Sequence, residues 1–88
     1  MFEWDEKKRI RTLHERNLDF RDAYQAFDGR PVIHVRARRN EEERFVSTAE
    51  IEGKLYTVVW TWRAENQRII SFRRARSGEE RAYRKVHG

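Results

Sequence analysis

Leu55-Tyr56-Thr57-Val58-Val59-Trp60-Thr61-Trp62-Arg63, directly after the pair Glu52-Gly53, is the most regular stretch of the chain and decides its fold. Tyr56, Val58, Trp60 and Trp62 share one side of a two-residue period, the pattern of a strand with one strongly apolar face. Upstream, Arg44 to Glu52 alternates as well, with Phe45, Ser47, Ala49 and Ile51 on one face, and the Gly53 turn joins the two runs into a hairpin. Downstream, Glu65-Asn66 predicts a second hairpin into a strand over Arg68 to Arg74, in which Ile70 and Phe72 face the core and Arg73 points with Ile69 and Ser71. Val32 to Arg36 predicts a further strand, and Arg36, Arg38 and Arg39 a basic loop after it.

The single proline, Pro31, separates this strand-rich part from a helical one. Asp5 can cap a helix running to about Arg16, with Ile10 and Leu13 inward and Asn17 in the left-handed position that ends it. Asp19 can cap a second, whose Phe20, Ala23, Tyr24 and Phe27 make the clearest helical stripe, with Gly29 beyond its end. Phe2-Glu3-Trp4 suits a very short edge strand. At the other end Ser77-Gly78-Glu79-Glu80 has the form of a capping box and opens a helix carrying Ala82, Tyr83 and Val86. The order β-α-α-β-β-β-β-α predicts an α+β domain. Its helices cover one sheet face, bury Trp60 and Trp62 beneath the first two, and leave the other face or its rim open to a ligand.

At 88 residues the chain suits one domain over 1–88. With no cysteine, disulfides, a thiolate nucleophile and a cysteine-based zinc site are excluded. No apolar run is long enough to cross a membrane, and Met1 to Ile10 is too charged for the apolar part of a signal peptide, so no membrane partner is expected and the expected location is cytoplasmic. Charge says more: the net value is +5, and 16 of the 20 basic residues are arginine. Arginine binds phosphate with a planar fork and stays protonated, so the balance favours a nucleic acid or another polyanion as partner.

The chain resembles the BrnT-type toxins of bacterial type II toxin-antitoxin systems, which are RelE-like ribonucleases. The resemblance runs nearly end to end. It is carried by Phe2-Glu3-Trp4-Asp5 with Lys8, by Phe20, Ala23 and Phe27-Asp28, and by Glu42, Arg44 and Phe45. Gly53-Lys54-Leu55 through Val58-Val59-Trp60-Thr61, and Arg68-Ile69-Ile70-Ser71 with Arg73 and Ala75, closing on Glu79 and Tyr83, complete it. Glu15-Arg16-Asn17 stands where the family usually has Lys-His-Gly, and Ala37 to Glu41 lacks its customary histidine. The resemblance implies a RelE-like antiparallel sheet with two N-terminal helices and one C-terminal helix. It further implies metal-independent cleavage of messenger RNA, free or on the ribosome, that inhibits translation with no cofactor. The partner implied is a cognate ribbon-helix-helix antitoxin, through which alone the complex would meet DNA. A rival reading is an inactive relative that keeps the fold as an RNA-binding or antitoxin-binding module.

Metal-free cleavage by an internal 2′-hydroxyl needs a base, cations for the charge growing on the phosphoryl oxygens, and an acid for the leaving oxygen. The resemblance implies Arg44, Arg73, Tyr83 and Glu79 as the catalytic set, with two guanidinium groups on the phosphate, a phenol near the leaving oxygen or a base, and a carboxylate orienting an arginine. Arg63, Arg68, Lys8 and His34 are the expected RNA contacts. Arg68 and Arg73 are five apart and have opposite parity, so a regular strand cannot aim both at one site. The histidines at 14, 34 and 87 have no metal-ligand spacing.

Overall fold

A computed structural model describes residues 1–88. The chain folds as β1 (Phe2–Trp4), α1 (Glu6–Arg16), a 3₁₀ helix (Phe20–Phe27), β2 (Val32–Arg39), β3 (Glu42–Ile51), β4 (Lys54–Arg63), β5 (Asn66–Arg74) and α2 (Ser77–His87). The strands form one five-stranded sheet in the order β1-β5-β4-β3-β2. The architecture is α+β as expected, but the sheet is mixed rather than antiparallel, because β1 runs parallel to β5, with Phe2, Glu3 and Trp4 opposite Gln67, Arg68 and Ile69. That direction lets α1 continue alongside the remainder of β5, where Lys8, Arg11 and Thr12 line a common hollow with Ser71 and Arg73.

Three tight reversals hold the antiparallel part, and two of them differ from the sequence reading. Asn40 and Glu41 both take left-handed backbone, at φ 52° and 65°, so β2 and β3 pair through Arg39–Glu42. Arg36, Arg38 and Arg39 therefore sit on a strand and not in a loop. The last hairpin turns at Ala64-Glu65, one residue early, with Ala64 at φ 55° and Asn66 already opposite Arg63.

The second helix is the clearest departure. It is 3₁₀ throughout, and its tighter three-residue period puts Phe20, Ala23 and Ala26 on the buried side while turning Tyr24 out to solvent. Small alanines let it lie close to the sheet, where Ala49, Ile51, Val58, Trp60, Ile69 and Phe72 complete the core. In α1 the cap at Asp5 and the left-handed Asn17 are where the sequence puts them. Its inner side differs, since Ile10 is exposed and Arg9 turns inward to bridge Glu6 and Asp19. Trp60 is buried under the 3₁₀ helix against Phe27, but Trp62 is 55% exposed. Two residues nearer the hairpin, Trp62 has passed beyond that cover and rests edge-on against Trp60.

β5 carries a bulge. Phe72 lies opposite Val58 and Ser71 opposite Val59, but the next pair on is Trp60 with Ile69, so Ile70 is an extra residue. Parity switches across it. Ile69 and Phe72, three apart, are both buried, which corrects the assignment of Ile70 to the core. By the same shift Arg68 and Arg73 come to the opposite, outer face together.

Candidate nucleic-acid interface

The outer face follows from the register. Arg44, Val46 and Thr48 of β3, Thr57, Val59 and Thr61 of β4, and Arg68, Ser71 and Arg73 of β5 alternate away from the core residues. Arg44, Thr61 and Arg68 make one row across three strands, and Thr48, Thr57 and Arg73 another. The rows are four residues apart on β4, about 13 Å. α1 forms one wall of this face, and α2, packed on β2 and β3, the other.

Two hollows adjoin along α1. One, of about 260 Å³, is bounded by Asp5, Lys8, Glu42, Arg44, Thr61 and Arg68. The other, of about 330 Å³, is bounded by Lys8, Arg11, Thr12, Ser71, Arg73 and Arg76. Lys8 belongs to both. Arg44 is held by Glu42 at 3.3 Å, while its Nε is buried without a hydrogen-bond partner. Arg68 is held by Glu3 of β1 at 2.8 Å, and Arg63, largely exposed at the strand end, stands 3.9 Å from the same carboxylate. Each partner fixes a guanidinium and leaves further N–H donors free for an anion.

Arg73 is positioned more tightly. Its Nη1 and Nη2 donate to Glu79 Oε1 and Oε2 at 2.8 and 2.9 Å, a two-point bond between side chains only 14% and 20% exposed. Glu79 also accepts from Thr57 Oγ1 and from the Arg76 amide, and Thr57 in turn lies 2.8 Å from the Thr48 hydroxyl. The Arg73 guanidinium foremost, then the Arg76 amide and the Thr57 hydroxyl, hold the Glu79 carboxyl down at about 2 despite partial burial. That amide bond corrects the expected cap: α2 begins one residue earlier than a Ser77–Glu80 box requires, with Arg76 at the N-cap and Glu79 as the reaching carboxylate.

Two expected residues lie elsewhere. Tyr83 is 6% exposed, packs on His87, and borders a separate hollow with Arg30, Pro31 and Glu50. α2 crosses the sheet from Glu79 on Thr57 of β4 to His87 on the Val32 carbonyl of β2, so each turn carries it away from Arg73. The expected single surface of Arg44, Arg73 and Tyr83 is thus reduced to the two arginines. His34 is on the core face, stacked on Phe27, with its Nδ1 2.6 Å from Ser47 Oγ, which also accepts from Trp60 Nε1. This serine–histidine pair resembles a nucleophile with its base, but Ser47 is completely buried and no substrate reaches it.

Sequence reasoning passed over Arg11, Thr12 and Arg76. The signal was present in α1, where Lys8, Arg11 and Thr12 have the i, i+3, i+4 spacing of one helix face. No group of three or more His, Asp or Glu side chains is placed to hold a metal ion, and no helix is long and apolar enough to cross a membrane.

The family model described as "Ribonuclease toxin, BrnT, of type II toxin-antitoxin system" matches residues 4–79, a span that takes in both hollows and Glu79 and stops short of Tyr83. No curated protein matches the chain significantly.

Proposed function

The chain belongs to the BrnT family of type II ribonuclease toxins, and from that premise we propose that it cleaves messenger RNA on the outer sheet face without a metal ion and thereby stops translation. The observation that carries this reading is the alignment, across the bulge in β5, of Arg44, Arg68 and Arg73 on one open face walled by a basic helix. Arg44 and Arg68 would grip one phosphate of a single strand. Arg73, fixed by Glu79, would meet the strand about 13 Å along the face, at a phosphate about two nucleotides on.

Fixed guanidinium groups supply the electrostatic part of such a reaction. Charge that grows on the phosphoryl oxygens meets donors already oriented by Glu42, Glu3 and Glu79, so little reorganisation is needed in the transition state. Arg63 at the strand end and Arg11 and Arg76 beside the second hollow would extend the track for the RNA backbone. The fold is in this reading a RelE-like one acting in the cytoplasm. The neutralising partner would be a ribbon-helix-helix antitoxin, and DNA would be bound only through that complex.

The test is cleavage by antitoxin-free protein in EDTA, with free RNA and with programmed ribosomes, alongside growth on induced expression. Cleavage in EDTA with growth arrest supports the reading. Loss of cleavage only in EDTA overturns metal independence, and RNA binding with no turnover in any condition favours the inactive relative.

A further inference from the structure

Lys8 occupies an unusual electrostatic position. It is the third residue of α1 after the Asp5 cap, at the positive end of the helix dipole, where a cation is disfavoured. Asp5, a carboxylate on the same hollow, is already engaged on one oxygen: its Oδ1 accepts from the Lys8 backbone amide at 3.1 Å. Arg9 beside it makes two ion pairs, whereas the Lys8 ammonium makes none within 4.0 Å. Its half-buried side chain stands between the Arg44–Arg68 hollow and the Arg73 hollow.

We propose that Lys8 is the general base of the cleavage step, taking the proton from the 2′-hydroxyl of the nucleotide whose phosphate lies against Arg44 and Arg68. The proposal rests on the ribonuclease reading above. In the step, the neutral Nζ accepts the 2′-hydroxyl proton as the 2′-oxygen bonds to phosphorus and the bond to the 5′-oxygen breaks. That leaving oxygen takes a proton from water, and the products are a 2′,3′-cyclic phosphate and a 5′-hydroxyl. The ammonium then returns its proton to solvent.

Elimination leads to the same residue. Arginines remain protonated and cannot serve as bases near neutral pH. The Glu79 carboxylate is filled by Arg73, the Arg76 amide and Thr57, and Glu3 by Arg68 and Asn66. Glu42 and Asp5 each give one oxygen, to Arg44 and to the Lys8 amide, and surface carboxylates are weak bases toward a hydroxyl. His34 and Tyr83 face other parts of the molecule. Around Lys8 stand Asp5, Arg11 and, a turn farther, Glu15 from α1. β3 presents Glu42 and Arg44, β5 presents Arg68 and Arg73, and Arg76 leads into α2. Burial first, then repulsion from Arg44, Arg11 and Arg68, lowers the Lys8 ammonium below the ordinary lysine value, and Asp5 offsets this only in part. Burial and neighbouring cations are the features by which enzymes turn a lysine toward base chemistry.

The experiment is single-turnover cleavage of end-labelled RNA, free and ribosome-bound, in EDTA between about pH 6 and 10, for wild type, Lys8→Arg and Lys8→Ala. The wild-type rate should climb about tenfold per pH unit and level off below the ordinary lysine pKa. Lys8→Arg keeps the charge, so RNA affinity should hold within about twofold while cleavage falls ~10²–10⁴-fold. Small primary amines should restore part of the Lys8→Ala rate, in proportion to free amine. Near-ultraviolet circular dichroism checks each fold, and if Lys8→Arg misfolds the amine rescue decides. A folded Lys8→Arg that cleaves within tenfold of wild type with the same pH profile overturns the base role and leaves the ribonuclease reading standing. So does a Lys8→Ala rate indifferent to amine. Wild type that cleaves no RNA overturns both.

Discussion

Glu79→Gln is the most informative single change for the architecture of the site. The carboxylate receives four hydrogen bonds, two from Arg73, one from the Arg76 amide and one from Thr57. The amide keeps one acceptor oxygen but presents N–H groups to Arg73 Nη2, a donor facing a donor. A depression from 4.5 to about 2 corresponds to roughly 3 kcal/mol of folding free energy linked to the ionised carboxylate. The pair is mostly but not fully shielded, so about 2–3 kcal/mol of lost stability is expected at pH 7. For a domain of this size that is a fall of about 10–20 °C in Tm. The pH dependence follows from the direction of the shift: a carboxyl lowered on folding stabilises fully above its unfolded value near 4.5, and this is lost as pH falls toward about 2. By pH 3 roughly 2 kcal/mol of the wild-type advantage should be gone. The Asp19 carboxyl, also held at about 2, is present in both proteins and cancels in the difference. Urea unfolding followed by tryptophan fluorescence at pH 7, 5 and 3 measures this directly. Equal stability at pH 7, or a gap that does not narrow by pH 3, would refute the account of Glu79 as the anchor of Arg73 and α2.

Arg73→Ala should lower RNA cleavage by ~10²–10³, measured in single turnover. It should also cost about 1–3 kcal/mol in urea unfolding, because Glu79 loses its charged partner. Tyr83→Phe should leave the cleavage rate within about threefold, since the phenol borders a hollow away from both arginine rows; a loss like that of Arg73→Ala would show that the RNA path extends across α2. Phe20→Ala should destabilise by about 3–5 kcal/mol in the same unfolding assay, as its ring is buried between the 3₁₀ helix and the sheet.

Where local rules and tertiary demands agree, the sequence was a good guide. The alternation in β4, the Asp5 cap and the left-handed Asn17 are set by residues in immediate contact, and the structure has each of them. The 3₁₀ helix reads as α in the sequence because Phe20 and Ala23 satisfy either helical period, whereas Tyr24 and Phe27 fit only the α period and Ala26 only the tighter one. Tyr24 carries the larger apolar surface, yet it is the smaller Ala26 that joins the buried cluster against the sheet. The direction of β1 was equally hidden, since three residues carry no signal of parallel or antiparallel pairing. Trp62 looked like core because alternation fixes the side on which a residue lies and says nothing about how far the covering helix extends.

The candidate site was legible by residue type and illegible by parity. Arg44, Arg68 and Arg73 could be chosen from charge, but only a bulge lets the last two share a face, and Ile70 is neither glycine nor asparagine, the usual marks of such a break. What requires the bulge is the need to bury Ile69 and Phe72 together under the 3₁₀ helix. Deleting Ile70 tests this. Without it Ile69, Ser71 and Phe72 follow the plain alternation, and opposite them the partners Trp60, Val59 and Val58 are unchanged, so core and register should both survive. The deletion should therefore cost no more than about 2 kcal/mol, against the collapse expected if every residue beyond it changed sides. Function should respond differently. Ile70 helps line the Lys8–Arg44–Arg68 hollow, and the bulge sets the local twist that aims Arg68, so a misplacement of about 1 Å there should lower cleavage by as much as ~10² while the fold persists. Full activity in the deletion would mean that the bulge does not aim Arg68. An unfolded protein would mean that the parity argument for the whole outer face is mistaken.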